Sequence, residues 1–183
     1  MKKDRQSQIL EAAGKLILHH GYQKVTFADI AKELGVSRPT VYQAFPNKEE
    51  IYKALVHKYQ TEALERVDAV VGEDLPVEKK LLKVIGIWII EPYQLIHESP
   101  MSEDVQNSAL GFASETVDQG YAEFERRIVK ILKEGKVQGP LPLKRLAHLC
   151  TVALRGMKGE ANDLAELRSL VSGLVTLVLA NQQ

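Results

Sequence analysis

Between Leu34 and Ile51 the chain reads LGVSRPTVYQAFPNKEEI, and its breakers leave room for a helix of only two turns. Gly35 can end one helix with a left-handed residue. Ser37 suits the N-cap of the next helix, and Pro39 suits its first turn, where a missing N–H costs nothing. Because Pro39 has no amide proton, the Thr40 amide is the expected donor to the Ser37 hydroxyl. Val41 and Phe45 fall on one side and read as the buried face. Pro46 stops the helix, and Asn47, with Glu50 three residues on, opens another. A helix this short holds only as part of a packed cluster.

The flanking sequence supplies that cluster. Residues 4–20 read as a helix with Ile9, Ala13, Leu16 and Ile17 on one face and Gly21 as its stop. Thr26 opens a second helix, with Asp29 placed for a capping box and Ile30, Ala31 and Leu34 on the apolar side. The helix opened by Asn47 runs to the Gly72–Pro76 stretch. Strand signals are nearly absent. Further helices are predicted at about 77–97, 102–118, 120–135, 142–157 and 161–180, with Pro92 breaking or kinking the first near Glu91. The expectation is an all-α chain whose 183 residues suffice for a substantial core.

Formal net charge is zero, but it is unevenly spread. Residues 1–60 carry ten Lys and Arg against six Asp and Glu, and residues 61–183 carry fourteen against eighteen. A basic first third on an acidic remainder implies a head that meets a polyanion. The lone Cys150 excludes an intrachain disulfide framework and suits a reducing cytosol. MKKDRQSQ passes directly into a mixed pattern and reads as no secretory signal, so the cytoplasm is the expected location. The longest uncharged run, Ser169–Gln183, is too short for a bilayer, and no membrane role is expected. The five histidines lack metal-ligand spacing, and no nucleophile elbow or phosphate-binding glycine loop occurs. No metal, cofactor or enzymatic activity is therefore expected.

The short helix carries Ser37, Arg38 and Thr40 at its exposed start and Tyr42 and Gln43 between its buried and exposed sides. A helix start favours phosphate, Thr and Gln can read base edges or phosphates, and Arg can fork onto guanine. Lys48, in the first turn of the next helix, opposes that helix's dipole by up to about 1 kcal/mol, a sign that a nearby phosphate would reverse.

Taken together, Thr26, Ile30, Ala31, Gly35, Val36, Ser37, Thr40, Val41, Tyr42, Phe45, Lys48 and Ile51 fill a pattern that resembles the DNA-binding signature of the tetracycline-repressor (TetR) family, over about residues 8–55. The resemblance implies an all-α homodimer. Each chain would have an N-terminal three-helix, helix-turn-helix head (residues 1–48) and a C-terminal helical effector-binding and dimerisation domain (residues 49–183), with a linking helix at about 47–71. It implies base or phosphate contacts from Ser37, Arg38, Thr40 and Gln43, backbone clamping by Tyr42 and Lys48, and a phosphate contact from Thr26. Many members carry His where this chain has Gln43. Ser37 and Thr26 also read as plain helix caps.

An effector pocket between helices is mostly apolar with a few polar groups. The candidates are Trp88, Tyr93, His97, Phe112, Tyr121, Phe124 and Met157, with Glu91, His97 and Arg155 as polar anchors; each aromatic equally reads as core. Residues 170–180, LVSGLVTLVLA, are apolar almost all round. Such a helix needs cover on two sides, its own domain and a second copy. Leu167, Leu170, Val171, Leu174 and Val178 are the expected interface. The functional expectation is a regulator, read as a repressor, whose partners are double-stranded operator DNA, a small-molecule effector of unknown identity and a second copy. The alternative is a ligand-binding or adaptor protein whose head reads no DNA.

Overall fold

The computed structural model describes residues 2–180; Met1 and residues 181–183, which the sequence ranges above also take in, lie outside them. Among the described residues the regular structure is entirely helical: α1 (Lys2–His20), α2 (Phe27–Leu34), α3 (Arg38–Ala44), α4 (Lys48–Gly72), α5 (Val77–Ile85), a π-helical turn (Gly86–Ile90), α6 (Glu91–His97), α7 (Ser102–Phe112), α8 (Ser114–Glu134), α9 (Leu143–Glu160) and α10 (Leu164–Leu179). None of these helices is long and apolar enough to cross a membrane.

The chain forms two compact units. One takes in Met1–Gln60 with Leu95–Gln119, the other Thr61–Gln94 with Gly120–Gln183. The first unit therefore includes residues 95–119, which the sequence alone grouped with the C-terminal domain. Its core gathers Ile9, Ala13, Ile30, Val41 and Ile51, all essentially buried. The predicted punctuation acts locally. Gly21 stands at φ +85° and Gly35 at φ +63°, each ending a helix in the left-handed region. Thr26 and Asp29 complete the capping box: Asp29 N donates to Thr26 Oγ1 (3.3 Å) and Thr26 N to Asp29 Oδ2 (2.9 Å). Asn47 Oδ1 accepts from Glu50 N at 2.8 Å to start α4.

In the second unit, α5, the π turn, α8, α9 and α10 close around Val84, Ile89, Phe124, Leu132, Leu154 and Leu167. Arg66 grips Glu91 with two hydrogen bonds of 2.6 and 2.8 Å, and Arg127 grips Asp68 with two of 3.0 and 2.8 Å. Both pairs are partly exposed, so their worth is in orientation more than energy.

Two helix boundaries differ from the sequence expectation. The predicted break near Glu91 is a π turn, not a clean kink. Pro92 lacks an N–H and its ring crowds the carbonyl of Trp88. The backbone absorbs this upstream, where the Glu91 N–H bonds Gly86 O in the wider π pattern. Further on, α7 ends at Phe112, and Gly120, which reads as a boundary, lies buried inside α8.

The end of α8 is tight. A Cβ on Gly135 would sit 2.0 Å from Val77 Cγ2, and Lys136 follows at φ +52°. Gly135→Ala should lower stability by about 1–3 kcal/mol, because α5 must shift to admit one methyl. Urea unfolding followed by circular dichroism measures this, and an unchanged midpoint would mean the α5–α8 contact is soft.

Candidate nucleic-acid interface

Helix α3 is pinned from below and bare on top. Val41 is fully buried and Phe45 nearly so, while Ser37, Arg38, Tyr42 and Gln43 are exposed and Thr40 is half-buried. Tyr42 is 58% exposed, with its ring against Phe27 at 4.3 Å between centroids. That contact packs one part of the ring and leaves more than half of the residue open to solvent. Gln6 Nε2 donates to Ala44 O at 3.3 Å, so α1 caps the last turn of α3. Nothing in the sequence marked Gln6, whose partner lies 38 residues away.

Two expectations about individual residues are corrected. Ser37 makes no side-chain cap. Thr40 N donates to the Ser37 carbonyl (3.0 Å), and the two hydroxyls pair at 2.9 Å. With Pro39 in the first turn, no other amide is in place to reach the Ser37 hydroxyl. Lys48 is turned inward. Its ammonium donates to the carbonyls of Tyr22 (2.8 Å), Gln23 (3.3 Å) and Val25 (3.1 Å) and lies 4.2 Å from the Tyr22 ring centroid. An ammonium has three protons, and all three have acceptors here, so Lys48 holds the protein's own turn rather than standing ready for phosphate. Burial lowers its pKa, and the Asp104 carboxylate works in the opposite direction.

Thr26 is exposed, and its hydroxyl also donates to Asp29 Oδ2 at 2.6 Å, a bond that holds the Asp29 carboxyl below its ordinary range. Thr26 thus serves as a cap with its side chain already engaged.

The seven residues proposed for a pocket do not form one group. His97 and Phe112 belong to the first unit, where Phe112 packs on Tyr22 at 5.1 Å between centroids. The other five lie in the second unit. There Trp88 stacks on Phe124 (5.2 Å, 7° between planes) and meets Tyr121 edge-on at 5.7 Å. The Arg155 guanidinium lies 4.6 Å over the Tyr121 ring, and Tyr93 donates to Ala161 O at 3.0 Å. Burial raises the Tyr121 pKa to about 12. Met157 is half-buried against the same core. Trp88 is buried, and among the described residues no partner reaches its Nε1–H. Glu91 is held by Arg66 rather than waiting as an anchor. A separate apolar cavity of about 10 Å³ lies beside Cys150 and Leu174, room for one water at most. Burial raises the Cys150 thiol to about 11, which makes it a poor nucleophile at neutral pH.

On α10 the expected interface set divides. Leu167 and Val171 are buried in the chain's own core, so they are corrected to core residues. Leu170 is exposed, and Leu174 and Val178 are half-buried. The outward apolar face instead centres on Leu177 (74% exposed), with Leu149 and Val152 exposed on α9.

Comparison with known proteins places this geometry. Residues 9–55 match the family described as bacterial regulatory proteins, tetR family. The chain is 25% identical to the HTH-type transcriptional repressor ComR of Escherichia coli (strain K12), across 88% of this chain and 81% of that one. Among solved structures it resembles a transcriptional regulator from Cytophaga hutchinsonii ATCC 33406, with TM-score 0.79, 18% identity, and 94% of this chain and 95% of that one covered. It also resembles a regulator from Saccharomonospora viridis in complex with choline, with TM-score 0.75, 20% identity, and coverage of 94% and 96%. These structural likenesses speak for the fold. Because the matched segment spans α2, α3 and the parts of α1 and α4 that hold them, residues 9–55 form a DNA-binding domain of the TetR family, and the chain is a DNA-binding transcriptional regulator.

Proposed function

We propose that this regulator is a cytoplasmic, non-enzymatic repressor that binds a palindromic operator as a homodimer and is released by a small-molecule effector. The observation that carries the reading is the exposed face of α3, where Arg38, Tyr42 and Gln43 stand outward over a buried Val41. Two such helices, one per copy, enter successive major grooves about 34–36 Å apart. Arg38 and Gln43 meet base edges, while Ser37, Thr40 and the Tyr42 hydroxyl meet phosphates. Residues 1–48 read DNA and residues 49–183 bind effector and partner. ComR, a repressor in Escherichia coli, supports the choice of repression.

The effector sits among the helices of the second unit, near Trp88, Tyr121 and Phe124. A buried indole N–H without a partner costs about 1–3 kcal/mol, which a ligand oxygen would recover. Release is differential affinity, so DNA weakens effector binding by the same factor. Dimerisation uses the outward faces of α9 and α10, where Leu149, Val152, Leu170 and Leu177 are exposed. An apolar surface of that kind is what a bundle with a second copy covers.

Fluorescence anisotropy against duplexes from the DNA flanking the gene, with random competitor, tests the operator reading. Arg38→Ala should weaken binding and flatten the salt dependence, by about 0.9 in log–log slope if it meets one phosphate. If it forks onto guanine, it instead loses about 1–3 kcal/mol of discrimination at one base pair. Unchanged affinity, slope and base preference would remove Arg38 from the interface.

The paired substitution Leu149→Glu with Leu177→Glu should give folded monomers. Both side chains are exposed in the single chain, so its own core is untouched. Sedimentation velocity decides: a dimer of normal helicity and stability places the interface elsewhere.

A further inference from the structure

The six residues Gly21–Thr26 join α1 to α2, and side chains from two other helices hold this turn from two directions. Lys48, at the start of α4, binds the carbonyls of Tyr22, Gln23 and Val25. Asp104, in the first turn of α7, accepts the Gln23 amide on Oδ2 at 3.0 Å. The fit leaves little slack. A Cβ on Gly21 would stand 2.6 Å from Asp104 Oδ2, and Gly21 already has φ +85°. Further bonds seat α7 and the residues before it. Tyr52 donates to Val105 O at 2.7 Å, and Ser99 Oγ donates to Leu18 O near the end of α1. The turn is only partly buried, and charged groups meet its carbonyls and amide at roughly twice the strength of neutral partners.

We propose that Asp104 and Lys48 are positioning residues for DNA binding: they clamp the α1–α2 turn, set α2 and α3 against α1 and α4, and touch no DNA themselves. The inference rests on the DNA-binding role of α3 but assigns these two residues a task apart from contact. The two side chains act on neighbouring groups of one turn, Asp104 on its amide and Lys48 on its carbonyls. Releasing either lets the turn relax, and α2 and α3 lose their fixed register. A shift of α7 reaches the head through the Gln23 amide, so Asp104 ties the position of α7 to the orientation of α3.

Hydrogen exchange by NMR in the full-length protein without DNA tests the clamp alone. The Gln23 amide should be protected, and Asp104→Asn, which keeps shape and removes charge, should speed its exchange about tenfold. The amides of Ile128 and Leu132, in the other unit, should not change. An unprotected Gln23 amide in the wild-type protein, or one indifferent to Asp104→Asn, overturns the clamp. Anisotropy on a duplex selected for the wild-type protein then tests positioning. Asp104→Asn and Lys48→Gln should each weaken binding about tenfold with the wild-type salt slope, and the double variant should be little worse than the weaker single. A Lys48→Gln slope reduced by about 0.9 would put Lys48 on a phosphate and overturn the proposal. Wild-type affinity in Asp104→Asn would do the same. A wild-type protein that binds no duplex would overturn the operator reading and the positioning role together, while the exchange data would still report the clamp.

Discussion

A helix of seven residues has almost no stability of its own, and α3 is that long. What keeps it helical and aimed is the burial of Val41 and Phe45 in the core of the first unit. Every outward residue of α3 depends on that anchorage. The phase of the buried pair decides which side faces out, so Arg38, Tyr42 and Gln43 are exposed because Val41 is not. Support at the edges follows the same logic. The Tyr42 ring rests on Phe27 and the last turn of α3 is capped by Gln6, both from elements that share the core.

Lys48 shows how the supporting elements are themselves secured. A cation at a helix start opposes the helix dipole, and Glu49 and Glu50 in the same turn only partly offset it. In sequence this points to an external anion. The structure supplies negative potential from within, through three carbonyl oxygens and the face of the Tyr22 ring. Partial desolvation lowers its affinity for the proton, and Asp104 counters that without touching it. One side chain thereby offsets its own poor placement and orders a turn that has no regular structure.

The head was legible because its signals are local. Gly21, Thr26, Asp29, Gly35, Pro39, Pro46 and Asn47 act within a few residues of themselves, and each does so at the expected boundary. Ser37 failed as a side-chain cap because its carbonyl, not its hydroxyl, takes the Thr40 amide, a choice that composition does not encode. Asp104 was invisible for the opposite reason: its partner lies 81 residues away, and nothing near it in sequence marks it. The aromatic candidates failed as a set because large apolar residues carry no address. Trp88 and Phe124 meet face to face, whereas Phe112 packs in the other unit.

The case of α10 is the sharpest, because its sequence is apolar on nearly every side and so gives no phase. Leu167, Val171 and Val175 face inward, and the residues that alternate with them decide what the outside is like. Much of that outside is small: Ser169, Ser172, Gly173, Thr176 and Ala180 are all exposed, with Leu170 and Leu177 among them. Helix α9 adds exposed Gly156 and Gly159 beside Leu149 and Val152. Single exposed leucines are ordinary on a protein surface. Large side chains set among small ones are a different matter, since knobs and holes on the same face let two like helices interlock closely. An all-round apolar helix with one face already in its own core therefore supports a second copy as the cover for the other. Of the residues that the sequence first singled out, only Leu170 stands on that exposed face.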